Sequence, residues 1–320
     1  MPSPKAVAPP EAVTRVPARG GSPLAFVVLL AVLSVPFWVA GAVFDQTGAL
    51  PMGMPVSAFQ FVLPVTVAAA LSFREEGGRG VRRLLKRTVS VGGAGPWSRW
   101  ATAVLLVPSL MLVTYGLTAP AGKPPGGPHS PLASLPLLVA LYFLAAVAEE
   151  AGWTGYLLRP VRERFGTFGA GVVIGLVWGA WHLVAYAQAG RSVSWTVGQV
   201  LGSVAVRVLM VRLVTVTDGA MLTAVVVHTT INVAQSVFPG YPDQPAPPLV
   251  HGLLAALAAT GTTPARGPGP TRTRSPKAHA GTGPPETHAR TGPPEAHDCT
   301  EPPETQNPHR PTGGSAPQTP

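Results

Sequence analysis

Apolar runs of about 20 residues recur along this chain, and that length matches a helix crossing a hydrocarbon core of about 30 Å. Eight are read, at residues 24–44, 56–73, 100–118, 132–158, 168–187, 195–214, 221–237 and, more weakly, 249–263. Lipid offers no water to exposed backbone groups, so segments of this kind fold as helices. The expected class is all-α, a polytopic membrane helix bundle of about eight transmembrane helices. Residues 1–23 read as a disordered, Pro- and Ala-rich cytoplasmic N-terminus, 24–263 as the transmembrane helical domain, and 264–320 as a disordered Pro-rich tail.

Composition points the same way. The 320 residues are 46% hydrophobic and only 12% charged, whereas about a quarter of a soluble chain is charged. An ordinary soluble enzyme is therefore disfavoured. The net charge of +9 does not imply nucleic acid, because the basic residues sit in short clusters between the apolar runs. One set of connections carries Lys5, Arg15 and Arg19, the cluster from Arg74 to Arg99, then Arg159, Arg162, Arg164 and Arg212, while the alternate set holds only Lys123 and Arg191. Basic residues are retained on the cytoplasmic side, which puts both termini there. A multi-pass protein of the cell membrane is expected, with the first run a retained anchor rather than a cleaved signal.

The connection REEGGRGVRRLLKR, residues 74–87, reads as a topology-setting loop, with a basic interfacial helix as the second reading. The tail carries a nine-residue near-repeat beginning at Thr282, Thr291 and Thr300, whose paired prolines favour extended polyproline structure. His288 and His297 recur in it and read as repeat drift. The single cysteine, Cys299, excludes an intrachain disulfide and a Cys-based zinc site.

Of all the acidic residues, Glu149 and Glu150 alone fall inside an apolar run. A carboxylate at membrane depth costs a few kcal/mol at least, so it marks a functional site by default. At about 100° per residue the two cannot share a helix face, and one is expected to face a central cavity while the other meets a partner. His182, in WGAWH, and His228, in HTTIN, are the next ionisable groups within the runs. Asn232 and Gln235 follow His228 by four and seven residues and stack on its face. An acid, two imidazoles and an amide supply a general base and donors for an oxyanion, the parts needed to activate water against an acyl carbon. Trp153, Tyr156, Trp178 and Trp181 flank these groups; Trp153 is assigned mixed use and the others plain packing. Gly152, Gly155, Gly175 and Gly179 permit close helix approach.

Glu149-Glu150-Ala-Gly-Trp153-Thr154-Gly155-Tyr156, then Trp178-Gly-Ala-Trp181-His182, then His228-Thr-Thr-Ile-Asn232, resemble the motifs of the CPBP family of intramembrane endopeptidases (CAAX protease and bacteriocin-processing, or Abi), in order and at similar spacing across residues 132–237. The resemblance implies a hydrolase in which a glutamate activates water to cut a peptide bond. Carried over by position, Glu149 is the general base, His182 holds or polarises the water, His228 and Asn232 stabilise the oxyanion, and Glu150 orients the site by pairing. No cofactor is implied by that reading; the older metalloprotease reading makes Glu149, His182 and His228 zinc ligands. The partners implied are the lipid bilayer and a peptide or membrane-protein substrate, with no nucleic acid.

One position departs from the family pattern. Its first motif is usually EExxxR, and the arginine's place is Thr154 here. Loss of a guanidinium is expected to shift the carboxylate it serves and reduce activity, unless Arg159 or Arg207 reaches in from another direction. A catalytically weak or silent membrane scaffold is thus the alternative to the protease, and a transporter or proton relay ranks below both because no inverted repeat is evident.

Overall fold

In a computed structural model of the chain, residues 21–44, 54–92, 97–119 and 130–261 are described. The chain divides into two units, Met1–Gly267 and Pro268–Pro320, and every described residue lies in the first. The expectations for residues 1–20, for Lys123, and for the repeat tail with His288, His297 and Cys299 fall outside the described residues.

Among the described residues the fold is all-helical. The elements in order are α1 (Pro23–Val43), a 3-10 segment (Val56–Val62), α2 (Leu63–Thr88), α3 (Trp97–Thr118), α4 (Leu135–Glu150), a π-helical segment (Ala151–Leu157), α5 (Leu158–Trp181), α6 (Leu183–Gln188), α7 (Val193–Val216), α8 (Met221–Val237) and α9 (Ala246–Gly261). Among the described residues five helical stretches are long and apolar enough to cross a membrane: Pro23–Val43, Val56–Thr88, Trp100–Thr118, Leu132–Gln188 and Val193–Val216. Met221–Val237 and Ala246–Thr260 are shorter apolar helices.

Local sequence accounts for the breaks. Ser22 caps α1 by accepting the Ala25 N–H at 3.3 Å, and Pro23 follows in the first turn, where its missing N–H costs nothing. The expected fourth and fifth runs lie inside one helical stretch of 57 residues, Leu132–Gln188. It leaves helical geometry at Gly166, whose φ of +70° disfavours any side chain. Residues 74–87, expected as a loop, are instead helical: α2 continues to Thr88 across a break at Gly77, and Arg83 pairs with Glu76 on its surface. Beyond the break, Gly80, Leu84 and Thr88 are buried, so the stretch packs one face inward while its charges stay outside.

α7 is the central helix, two-thirds buried along its apolar window, with α5 on one side and α9 on the other. Small residues set the approach to α5. A methyl at Gly171, Gly175 or Gly179 would meet Val208, Val204 or Val200 of α7 at 2.6, 2.7 and 3.1 Å. Without water to drive helices together, such close backbone packing is what holds a membrane bundle. α1, α3 and α4 turn many leucines and valines outward, among them Leu24, Val32, Leu112 and Leu144, the surface expected of helices facing lipid.

Candidate active site

The glutamate pair ends α4, and the chain then winds as a π-helix through Ala151–Leu157, all seven residues buried. A π turn inserts a residue into the helical register and commonly marks functional sites. Glycine lets this segment lie close against α2 and α1: a methyl at Gly152 would meet the Pro64 carbonyl oxygen at 2.7 Å and the Phe26 ring at 2.9 Å.

The two glutamates diverge, as adjacent helical residues must. Glu150 is fully buried and accepts from three sources. Arg207 Nη1 on α7 lies 3.0 and 2.8 Å from its two oxygens, His228 Nδ1 on α8 lies 2.9 Å away, and Thr154 Oγ1 donates at 2.5 Å. The place that lost its motif arginine is therefore supplied with a guanidinium from another helix, and the threonine hydroxyl occupies the remaining approach. Arg159, the other replacement considered, pairs with Glu163 at 2.9 Å on the surface and takes no part. The Arg207 guanidinium carbon also stands 4.5 Å from the centre of the Trp178 ring. Cation–ring contact in a desolvated setting adds about 2 kcal/mol, which helps hold an arginine that is otherwise dehydrated.

Among the described residues no Lys or Arg pairs with Glu149. Its Oε2 accepts the Trp178 indole N–H at 2.9 Å and the Trp153 indole N–H at 3.4 Å. The plain-packing assignment for Trp178 is corrected by this bond, and the one for Tyr156 by its hydroxyl, which donates to Glu75 at 2.7 Å. Trp181 likewise donates to Ser34 Oγ at 2.8 Å. An apolar ring at helical spacing resembles packing in any sequence; where its N–H points is set by tertiary contacts.

His182 Nδ1 lies 2.8 Å from the Trp178 carbonyl, and since a carbonyl only accepts, Nδ1 carries the proton and Nε2 keeps its lone pair. His228 is fixed in the same manner by Glu150, which leaves its Nε2 as the ring nitrogen away from the carboxylate. The Trp178 ring packs edge-on against both imidazoles, with centroids 5.5 Å from His182 and 5.1 Å from His228. One indole thus touches Glu149, Arg207 and both histidines.

Glu149, His182, His228 and Asn232 all line a single cavity of about 330 Å³. Its walls come from the 3-10 segment and from α4 to α9, and are largely apolar, with Phe59, Leu138 and Trp195 among them. Gln235 also lines it but is engaged elsewhere, donating to Tyr241 Oη at 3.1 Å. Glu150 is not part of the lining. Among the described residues no three His, Cys, Asp or Glu side chains come together as a metal-holding group.

Comparison with known proteins places this segment. Residues 131–234 match the family described as type II CAAX prenyl endopeptidase, Rce1-like. The chain is also similar to a protein named CAAX prenyl protease 2 from Methanococcus maripaludis, 33% identical over 84 residues, which cover 24% of this chain and 31% of that relative. The match therefore spans about a third of the relative's length. Over residues 131–234, the segment that carries the site, the resemblance to the CPBP family read from the motifs is borne out.

Proposed function

Taking residues 131–234 as a CPBP-type segment, we propose that the chain is an intramembrane endopeptidase in which Glu149 activates water against a peptide bond of a peptide or membrane-protein substrate. The observation that carries the reading is the convergence of Glu149 at the end of α4, His182 at the end of α5, and His228 and Asn232 on α8, three separate stretches of sequence, on one cavity. A carboxylate held by indole N–H groups through one oxygen has the other oxygen available to take a proton. Glu149 removes a proton from water, whose oxygen attacks the acyl carbon. The His182 Nε2 lone pair accepts from the same water and orients it. Charge then develops on the substrate oxygen, which the Asn232 amide and His228 stabilise, the imidazole held in place through its Nδ1 by Glu150. Collapse breaks the C–N bond, and the proton held by Glu149 passes to the leaving amine.

Glu150 in this scheme orients rather than reacts. Its three partners hold it, and through it His228, in one geometry. The silent-scaffold alternative rested on Thr154 in place of arginine; Arg207 supplies the missing guanidinium and favours the enzyme. No metal enters the scheme. Eight membrane passages with both termini cytoplasmic, in the cell membrane, complete the proposal; the apolar helices among the described residues are consistent with it.

A prenylated peptide ending in a CaaX box is the first substrate to try, because both comparisons carry that description. The full chain in lipid nanodiscs is incubated with such a peptide, and product masses identify the bond cut. Cleavage at a single peptide bond, unchanged by a chelator, is the expected result. Intact peptide across prenylated and unprenylated probes contradicts the reading.

A further inference from the structure

The part of the cavity nearer the start of α7 holds polar groups that satisfy one another. Tyr241 Oη donates to Gln199 at 2.9 Å and accepts from Gln235 at 3.1 Å, while Arg191 donates to the Pro242 carbonyl at 2.7 Å. His251 on α9 stands apart from that network. It lines the same cavity, is 1% exposed, and among the described residues neither of its ring nitrogens has a hydrogen-bond partner. Buried polar side chains are nearly always paired, so an imidazole left this way on a cavity wall points to a ligand.

Helix packing fixes where it stands. A methyl at Gly252 would meet the Gly202 backbone nitrogen at 2.9 Å, and one at Gly198 would meet the Leu249 nitrogen at 2.7 Å, so α9 lies directly on α7. His251 is therefore level with Gly202. Arg207, which holds Glu150, lies five residues further along α7, or about 7.5 Å at about 1.5 Å per residue. An extended peptide advances about 3.3 to 3.6 Å per residue, so that interval is about two residues.

A neutral imidazole carries one donor and one acceptor, the same complement as a peptide group. A carboxylate or phosphate offers acceptors alone and would leave one ring nitrogen unpaired unless the ring were charged. The adjoining wall, Gly202 and Ser203, has no acid to balance such a charge. We propose that His251 is a second anchoring point for substrate, hydrogen-bonding a main-chain peptide group about two residues from the bond positioned at Glu149. This inference rests on the endopeptidase reading for what enters the cavity, and it assigns a specificity role to a helix outside the motif-bearing segment.

The test measures binding apart from cleavage. A fluorescent prenylated CaaX peptide is titrated onto the full-length Glu149→Gln protein in nanodiscs, with residue 251 as His, Leu or Gln. Matched probes carry an ester in place of each peptide group two residues from the scissile bond. One hydrogen bond is worth about fivefold to tenfold in affinity. His251→Leu is expected to weaken the all-amide probe by that factor, His251→Gln to restore most of it, and one ester probe to bind the His and Leu proteins alike. Thermal midpoints of the three proteins separate lost contact from lost fold. Equal binding of the all-amide probe to the folded Leu and His proteins, failure of Gln to rescue, or no probe binding at all overturns the proposal. If binding depends on residue 251 while the protein with Glu149 intact cuts no probe, the endopeptidase reading falls and the anchoring role stands.

Discussion

Arg207 on α7 reaches both carboxylate oxygens of Glu150, 57 residues earlier in the chain, at 3.0 and 2.8 Å, with both side chains fully buried. The pair joins the central helix to the end of α4 at the point where the chain turns into its π segment. Because His228 bonds the same carboxylate, the ion pair also fixes the imidazole on the cavity wall.

Arg207→Met leaves a buried carboxylate without its cation. Removing one member of such a pair costs about 3–5 kcal/mol. The thermal midpoint in nanodiscs is expected to fall sharply and cleavage with it. Thr154→Arg alone is expected to destabilise, since it brings a second guanidinium to a carboxylate that already has one, whereas Thr154→Arg combined with Arg207→Met recovers a substantial part of both losses. If Thr154→Arg alone raises activity, Arg207 is not the substitute.

Trp178→Phe keeps an aromatic face toward Arg207 but removes the N–H that holds Glu149 at 2.9 Å. A hydrogen bond to a charged group contributes about 1.5–3 kcal/mol, so kcat/KM should fall by about ten- to a hundredfold. Trp153→Phe, whose N–H lies 3.4 Å away, is expected to do less, and steady-state rates on one peptide rank the two.

How much of this was legible in sequence differs residue by residue. Opposite destinations for Glu149 and Glu150, and a shared face for His228 and Asn232, follow from the angle per residue alone. The Arg207 contact could be named as an option and no more, because its geometry depends on how α5 and α7 pack through Gly171, Gly175 and Gly179. His251 was missed: it sits on the weakest apolar run, outside the motifs, and reaches the cavity only because Gly198, Gly202 and Gly252 let α9 lie against α7. The π turn at Ala151–Leu157 has no periodicity signal, since the sequence AGWTGYL fits an α-helix equally well. Residues 74–87 fit a topology-setting loop or, as the second reading, a basic interfacial helix; the segment is helical, with one break at Gly77.

Gly152→Ala tests that π turn. Its methyl would press on the Pro64 carbonyl at 2.7 Å, backbone that cannot step aside, and overpacking of this kind costs about 1–3 kcal/mol. A fall of several degrees in thermal midpoint is expected, with cleavage reduced as Glu149 moves. Gly116→Ala on α3, where a methyl meets nothing within 4 Å, serves as the control and should unfold with the unaltered chain or slightly later.

The most direct test is the rate at which Glu149→Gln cleaves a peptide that the unaltered chain cuts, with both proteins in nanodiscs and matched in thermal midpoint. Glutamine keeps the shape and the indole bonds but cannot take a proton from water. General base catalysis contributes about 10²- to 10⁴-fold, and a loss of that size with peptide binding retained is the expected result. Cleavage at an undiminished rate would mean that the water is activated elsewhere, and the account of this cavity would be wrong.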